Sequence, residues 1–179
     1  MKYFVFDLEA SCWKDNRENR QEIIEIGVCI VDEYGRLGRT FSSFVKPVLN
    51  PTLSAYCKGL TGINQADIDK AKPFPYVIDK LMDWAEIPDT EYVYCAWGSA
   101  DIKLLQHDAQ LHRMEIEWLD PYVDIKSQYH NNKDISNPSG LYKVLKKNGF
   151  EFEGERHRAL SDATNLSRII AKYIDEWVY

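Results

Sequence analysis

The sequence predicts an α/β fold: a mixed sheet, made of an antiparallel meander of three strands plus parallel strands, flanked by helices. Three observations carry that prediction. Apolar, β-branched and aromatic runs crowd the first 46 residues without a helical period. Strand-like and helix-like stretches then alternate through the rest of the chain. No Gly-, Ser- or Pro-rich linker and no internal period interrupts the 179 residues, which therefore read as a single domain, 1–179.

In chain order, Tyr3 to Leu8 is short, apolar and aromatic, as a buried strand is. Glu22 to Asp32 is rich in β-branched residues and forms the second strand, followed by the turn Asp32-Glu33-Tyr34-Gly35. The third strand runs from Leu37 to Lys46 and is stopped by Pro47, Asn50 and Pro51. Leu53 to Ala71 is mixed, with short helical pieces around Leu60 to Ile63. Apolar positions at 77, 78, 81, 82, 84 and 85 predict a helix within Phe74 to Ala85, starting after Pro75. Glu91 to Trp97 is the fourth strand, and Ala100 to His112 and Val123 to His130 are helices, with a short edge strand expected within Glu117 to Tyr122. Ser139 to Asn148 is a helix stopped by Gly149, and Arg158 to Trp177 is the last and clearest one.

Composition narrows the classes of function. With 45% hydrophobic and 13% aromatic residues, low-complexity disorder is excluded. No run approaches the roughly 18 apolar residues of a membrane span. Met1 leads almost at once into a strand-like segment, with no apolar leader and cleavage site, so secretion is not expected. Cys12, Cys29, Cys57 and Cys95 lie far apart and form no CxxC pair, which argues against zinc or a disulfide framework and for a reducing cytoplasm. The balance of 22 Lys+Arg against 28 Asp+Glu, a net charge of −6, taken alone argues against a nucleic-acid partner.

The chemical signal is a set of acids at positions where apolar residues belong. Asp7 and Glu9 lie two apart at the end of the first strand, which puts them on one face with Tyr3 and Val5. Taken alone, so short a D-x-E pattern reads more readily as two solvated acids at a strand end. Asp162 lies four residues before Leu166 on the apolar stripe of the last helix, close to its positive end, yet a helix-terminal acid without further role has the same signature. Asp101 opens its helix with Leu104 and Leu105 on its own face, and an N-terminal cap explains it equally. His157 stands five residues before Asp162, and an imidazole overhanging a metal-bound Asp162 suits general-base work. Together, four inward carboxylates require cations to neutralise them. Oxygen donors without cysteine favour Mg²⁺ or Mn²⁺, and two such ions about 3.5–4 Å apart are a known arrangement for in-line displacement at phosphorus.

These residues resemble the DEDDh family of 3′→5′ exonucleases, which are DnaQ-like and have a ribonuclease H-like fold. Phe6-Asp7-Leu8-Glu9-Ala10-Ser11 is similar to the family's first motif, and Glu22-Ile23-Ile24-Glu25-Ile26-Gly27 to its second strand. Leu60-Thr61-Gly62-Ile63, Asp101 with Leu105, and His157-Arg158-Ala159-Leu160-Ser161-Asp162-Ala163 match three further motifs in the same order. Arg158 stands where a tyrosine subclass carries Tyr, so the resemblance is to the histidine subclass. Within the family it runs to the Eri-type 3′ exoribonucleases and the bacterial KapD-like proteins, through Glu9 to Trp13, Trp97-Gly98 before Asp101, and Gly140-Leu141 leading to Glu151 to Gly154. The charged loop Lys14 to Arg20 matches no pattern of the family.

The resemblance implies a metal-dependent 3′→5′ exonuclease that hydrolyses phosphodiester bonds at the 3′ end of single-stranded nucleic acid, RNA before DNA, and releases nucleoside 5′-monophosphates. Asp7, Glu9, Asp101 and Asp162 would hold two Mg²⁺ ions, replaceable by Mn²⁺, and His157 would act as general base, with Glu9 also catalytic. Leu60 and Thr61 would wedge against the terminal nucleotide, the Ala10-Ser11 backbone would meet its sugar, and Trp13 and Trp97 would stack on bases. Core packing is an equal explanation for Trp97. Lys143, Lys146, Lys147, Arg156 and Arg158 are candidate phosphate contacts, against the plainer reading of a solvated charged face. Two alternatives stand beside this expectation: a proofreading or trimming DNA exonuclease, and a nuclease fold that serves only as an interaction domain.

Overall fold

The computed structural model describes residues 1–15 and 20–179. Its centre is a six-stranded mixed sheet. The antiparallel meander consists of β1 (Lys2–Ala10), β2 (Ile23–Asp32) and β3 (Leu37–Lys46). A two-residue β4 (Lys72–Pro73) adds in parallel to β3, and β5 (Tyr92–Ala96) and β6 (Tyr122–Asp124) add in parallel beyond β1, giving the order β4-β3-β2-β1-β5-β6. Seven helices accompany it among the described residues: α1 (Ala55–Thr61), α2 (Gln65–Lys70), α3 (Phe74–Ala85), α4 (Ala100–His112), α5 (Ile125–Asn132), α6 (Leu141–Lys147) and α7 (Ala159–Lys172).

The period of two along β1 builds two cores. Phe4, Phe6 and Leu8 face α3 and α4, where Val77, Ile78, Leu81, Leu105 and Ala109 are buried. Tyr3 and Val5 face the opposite side, with Ala163, Leu166, Ile169 and Ile170 of α7 and with Leu141, Val144 and Leu145 of α6. α7 lies directly on β1 and β2 because Gly27 has no side chain: a Cβ there would stand 2.1 Å from Leu160 N and 2.2 Å from the Ala159 carbonyl carbon. Gly27 is the cross-strand partner of Asp7, so this close approach brings the first turn of α7 over Asp7.

Three expectations need correction. The helix expected from Val123 begins at Ile125, because Tyr122–Asp124 pairs with β5 and the Asp124 carboxylate caps the helix, accepting from Ser127 N at 3.0 Å. The edge strand expected within Glu117 to Tyr122 is that same β6, since Glu117–Leu119 forms one 3₁₀ turn. The last helix ends at Lys172. A 3₁₀ turn at Ile174–Glu176 then folds Trp177 back, and its indole N–H donates to Ile170 O at 3.0 Å.

Candidate active site

β1 and β5 run parallel, and β1 continues past the end of β5 at Ala96 to Ala10, so Asp7 and Glu9 lie at the carboxyl side of the parallel strands, where open α/β sheets place ligands. Asp7 and Glu9 enter the site from β1, and a register shift between Glu9 and Ala10 precedes the last pair of the strand, Ala10 with Ile23. Asp162 enters from the first turn of α7, and one carboxylate oxygen from each of Asp7, Glu9 and Asp162 lies within 4.8 Å of the others. Asp101 arrives from the first turn of α4 and is anchored to β1, its Oδ1 accepting from Leu8 N at 3.1 Å. The turn ahead of α4 is made by Gly98, whose φ of +98° suits glycine and whose carbonyl accepts from the Tyr122 hydroxyl.

Electrostatics show what this crowding costs. Burial, then the charges of Asp101, Asp162, Glu9 and Glu25, hold the Asp7 carboxyl well above the usual carboxylate range. Glu9 is pushed up to about 8, chiefly by burial and then by Asp162, Glu25 and Asp101, against a smaller opposing pull from Arg158. Asp101 is raised to about 6 by burial, although the Leu8 N–H favours its charged form. Burial likewise raises Asp162, opposed by the hydrogen bond from His157 N. Only cations would let all four ionise together, and an all-carboxylate donor set fits a hard divalent ion.

His157 is exposed at the rim, with φ +60°, and its backbone N–H donates to Asp162 Oδ2 at 3.0 Å. The carbonyl of Arg158 accepts from Asp162 N at 3.0 Å, so this segment and the acid brace each other. Arg158 is no free phosphate contact. Its guanidinium forks onto the buried Glu25 of β2, with Nη2 to Oε1 at 2.8 Å and Nε to Oε2 at 3.1 Å. Glu25 was legible only as a letter of a motif. The signal that singles it out is an acid in the middle of an otherwise apolar strand.

The expected substrate contacts divide. Leu60 is 38% exposed at the end of α1, and that helix is tied to β1 by Cys57 Sγ to Ala10 O at 3.7 Å and to the following loop by Ser54 Oγ to Cys12 O at 2.6 Å. Thr61 is 2% exposed, and its hydroxyl donates to Cys57 O and accepts from Ile63 N, so its side chain holds the helix end. Ser11 is 1% exposed. Its N–H donates to Glu22 O and its Oγ accepts from Glu22 N, which leaves the half-buried Ala10 as the one open position of that pair. Trp97 is half-buried against Tyr129 and His130, with ring centroids at 6.2 and 5.9 Å, as core packing requires. Trp13 is half-buried in the loop after β1. Of the charged segment Lys14 to Arg20, residues 16–19 lie outside the described residues. His130 is structural, buried between Lys126 O and Ser139 N, and His112 stacks on Phe74.

A mixed sheet of this order, with acids delivered by β1, α4 and α7, defines the ribonuclease H-like class of fold. The family model described as Exonuclease matches residues 4–170, and the chain belongs to that family. Within it the chain groups with the DEDDh, Eri-type members. It is 32% identical over 181 residues to 3′-5′ exoribonuclease 1 of Rattus norvegicus, a match covering 96% of this chain and 52% of that protein. It is 35% identical over 208 residues to 3′-5′ exonuclease eri1 of Schizosaccharomyces pombe, covering 96% and 67%. The crystal structure of the nuclease domain of 3′hExo, a DEDDh family member bound to rAMP, superposes with a TM-score of 0.91 at 30% identity, covering 98% of this chain and 92% of that one. The chain thus spans about half the length of the mammalian relative. Membership implies use of a divalent metal, with which the Asp7–Glu9–Asp162 cluster is compatible.

Proposed function

We propose that this chain is a 3′→5′ exoribonuclease that removes nucleoside 5′-monophosphates from single-stranded RNA ends. The observation that carries the reading is the convergence of Asp7, Glu9 and Asp162 within 4.8 Å, with His157 braced on Asp162 at the rim. Asp7, Glu9, Asp101 and Asp162 would hold two Mg²⁺ ions, or Mn²⁺ in their place, which when bound neutralise the scissile phosphate and acidify the attacking water. An imidazole nitrogen of His157 accepts the water proton, the water oxygen bonds phosphorus, and the bond from phosphorus to the 3′ oxygen breaks, that oxygen leaving on the shortened chain and taking a proton from solvent to become its new 3′ hydroxyl. Glu9 orients the water.

Leu60 packs on the terminal nucleotide, the Ala10 backbone approaches its sugar, and Trp13 offers a stacking surface worth about 1–3 kcal/mol per base. The net charge of −6 would fall to −2 with two such ions bound, which favours a short single-stranded end over a long duplex. Four free cysteines suit a reducing compartment, the cytoplasm, and no helix among the described residues is long and apolar enough to cross a membrane. The test uses RNA and DNA oligomers labelled at the 5′ end, with Mg²⁺, resolved by length. The reading expects RNA to shorten step by step from its 3′ end, with the monophosphate as product. Internal cuts, or shortening of DNA alone, overturn it.

A further inference from the structure

We infer that Glu25 is a positioning residue that acts through Arg158 to hold the backbone carrying His157. Glu25 lies on β2 directly opposite Glu9, is 1% exposed, and sits among Ile23, Ile24 and Ile26. Its carboxylate accepts from Arg158 Nε and Nη2 and from Ala159 N at 3.1 Å. Every one of these donors belongs to the two residues that follow His157. Gly27, two residues along the same strand face, adds the complementary contact, because its bare backbone is where Ala159 and Leu160 come to rest. One face of β2 therefore registers the start of α7 twice, once by hydrogen bonds and once by the absence of a side chain.

A buried ion pair adds little net stability over apolar residues of the same volume, so stability alone does not explain an acid here. What the pair does supply is direction. A forked guanidinium is fixed in plane by its carboxylate, and Arg158 is further confined by Phe44, 5.4 Å from its ring centroid, and by Glu155 at 3.7 Å. With Arg158 and Ala159 held, the chain enters α7 at a set angle, and His157 takes the left-handed conformation, which is uncommon for a non-glycine residue. The same clamp keeps His157 N on Asp162 Oδ2. Glu25 touches no reacting atom, so its effect is on geometry.

The inference rests on the exonuclease reading only for its kinetic arm. The first measurement is amide hydrogen exchange in the metal-free protein: Glu25→Gln should speed exchange at His157 and Ala159 by roughly tenfold or more while leaving β1 amides unchanged. The second is kinetic. Glu25→Gln should lower kcat by about 10- to 100-fold with KM within about twofold, and should cost nothing further in a His157→Asn background, because both changes disable one unit. Arg158→Lys, which keeps the charge but lacks the fork, should behave alike, and it replaces Glu25→Gln should that variant fail to fold. Unchanged exchange at His157, or kinetic losses that multiply in the double variant, overturns the inference. A wild-type protein that shortens no oligomer defeats the exonuclease reading instead, and the exchange experiment still decides this one.

Discussion

His157 occupies a backbone region that costs a non-glycine residue about 1–3 kcal/mol, and the hydrogen bond from its N–H to Asp162 is part of what holds it there. Asparagine tolerates that region and carries no base, so His157→Asn separates chemistry from folding better than alanine does. Turnover should fall about 10²- to 10⁴-fold, with the melting temperature within about 3 °C of wild type; near-normal turnover would remove His157 from the mechanism. Asp7→Asn should abolish metal-dependent activity and, by removing a buried carboxyl and its repulsion with Asp101, Asp162 and Glu9, raise the melting temperature of the metal-free protein at alkaline pH. A lowered melting temperature there would contradict the repulsive account. The grouping of Asp7, Glu9 and Asp162 was legible in the sequence only from the acids taken together, since each alone has a plainer reading. The side-chain settings of Ser11 and Thr61 were not legible, because a motif letter does not say that a hydroxyl bonds to backbone, as small polar residues readily do. Glu25 stayed hidden because its partner lies 133 residues away.

At the scale of elements, α7 on β2 is the contact that completes the cluster, and Gly27 is its seat. Gly27→Val should push α7 off the sheet, lowering stability by about 3 kcal/mol or more and cutting metal affinity beyond what the stability loss explains. Calorimetric titration with Mn²⁺ on the folded fraction checks this, and unchanged affinity would mean that α7 finds another way to deliver Asp162. The long elements were readable because their periods repeat: α4 runs from Ala100 to His112 as expected, and α3 ends at Ala85 as expected but starts at Phe74, two residues before the position after Pro75. The two-residue β4 was not, and the three-residue β6 was expected a few residues early, because so few residues show no period and exist only by pairing with a strand already in place. The early end of α7 escaped notice because Tyr173 and Trp177 continue its apolar stripe after the helix has stopped.

For the molecule as a whole, the clustered acids link stability to pH and to cations. Asp101 and Glu9 titrate near 6 and 8 in the folded chain, above their ordinary values near 4. Groups raised in this way favour folding in their protonated form, so their contribution is complete below about pH 4 and is lost as pH rises through 6 and 8. The metal-free protein should therefore melt at a lower temperature at about pH 8.5 than at about pH 6. Added Mg²⁺ should raise the melting temperature more at the higher pH, where fewer protons must be displaced. A cation effect that is absent, or larger at pH 6, would count against the site. The order in which the acids appear along the chain has a consequence for synthesis. Asp7 and Glu9 leave the ribosome first, in a meander whose three strands can pair locally, whereas Asp162 arrives only with α7. A growing polypeptide thus lacks the fourth acid and the histidine until translation of the domain is almost over, so on the exoribonuclease reading proposed above it spares its own message until then.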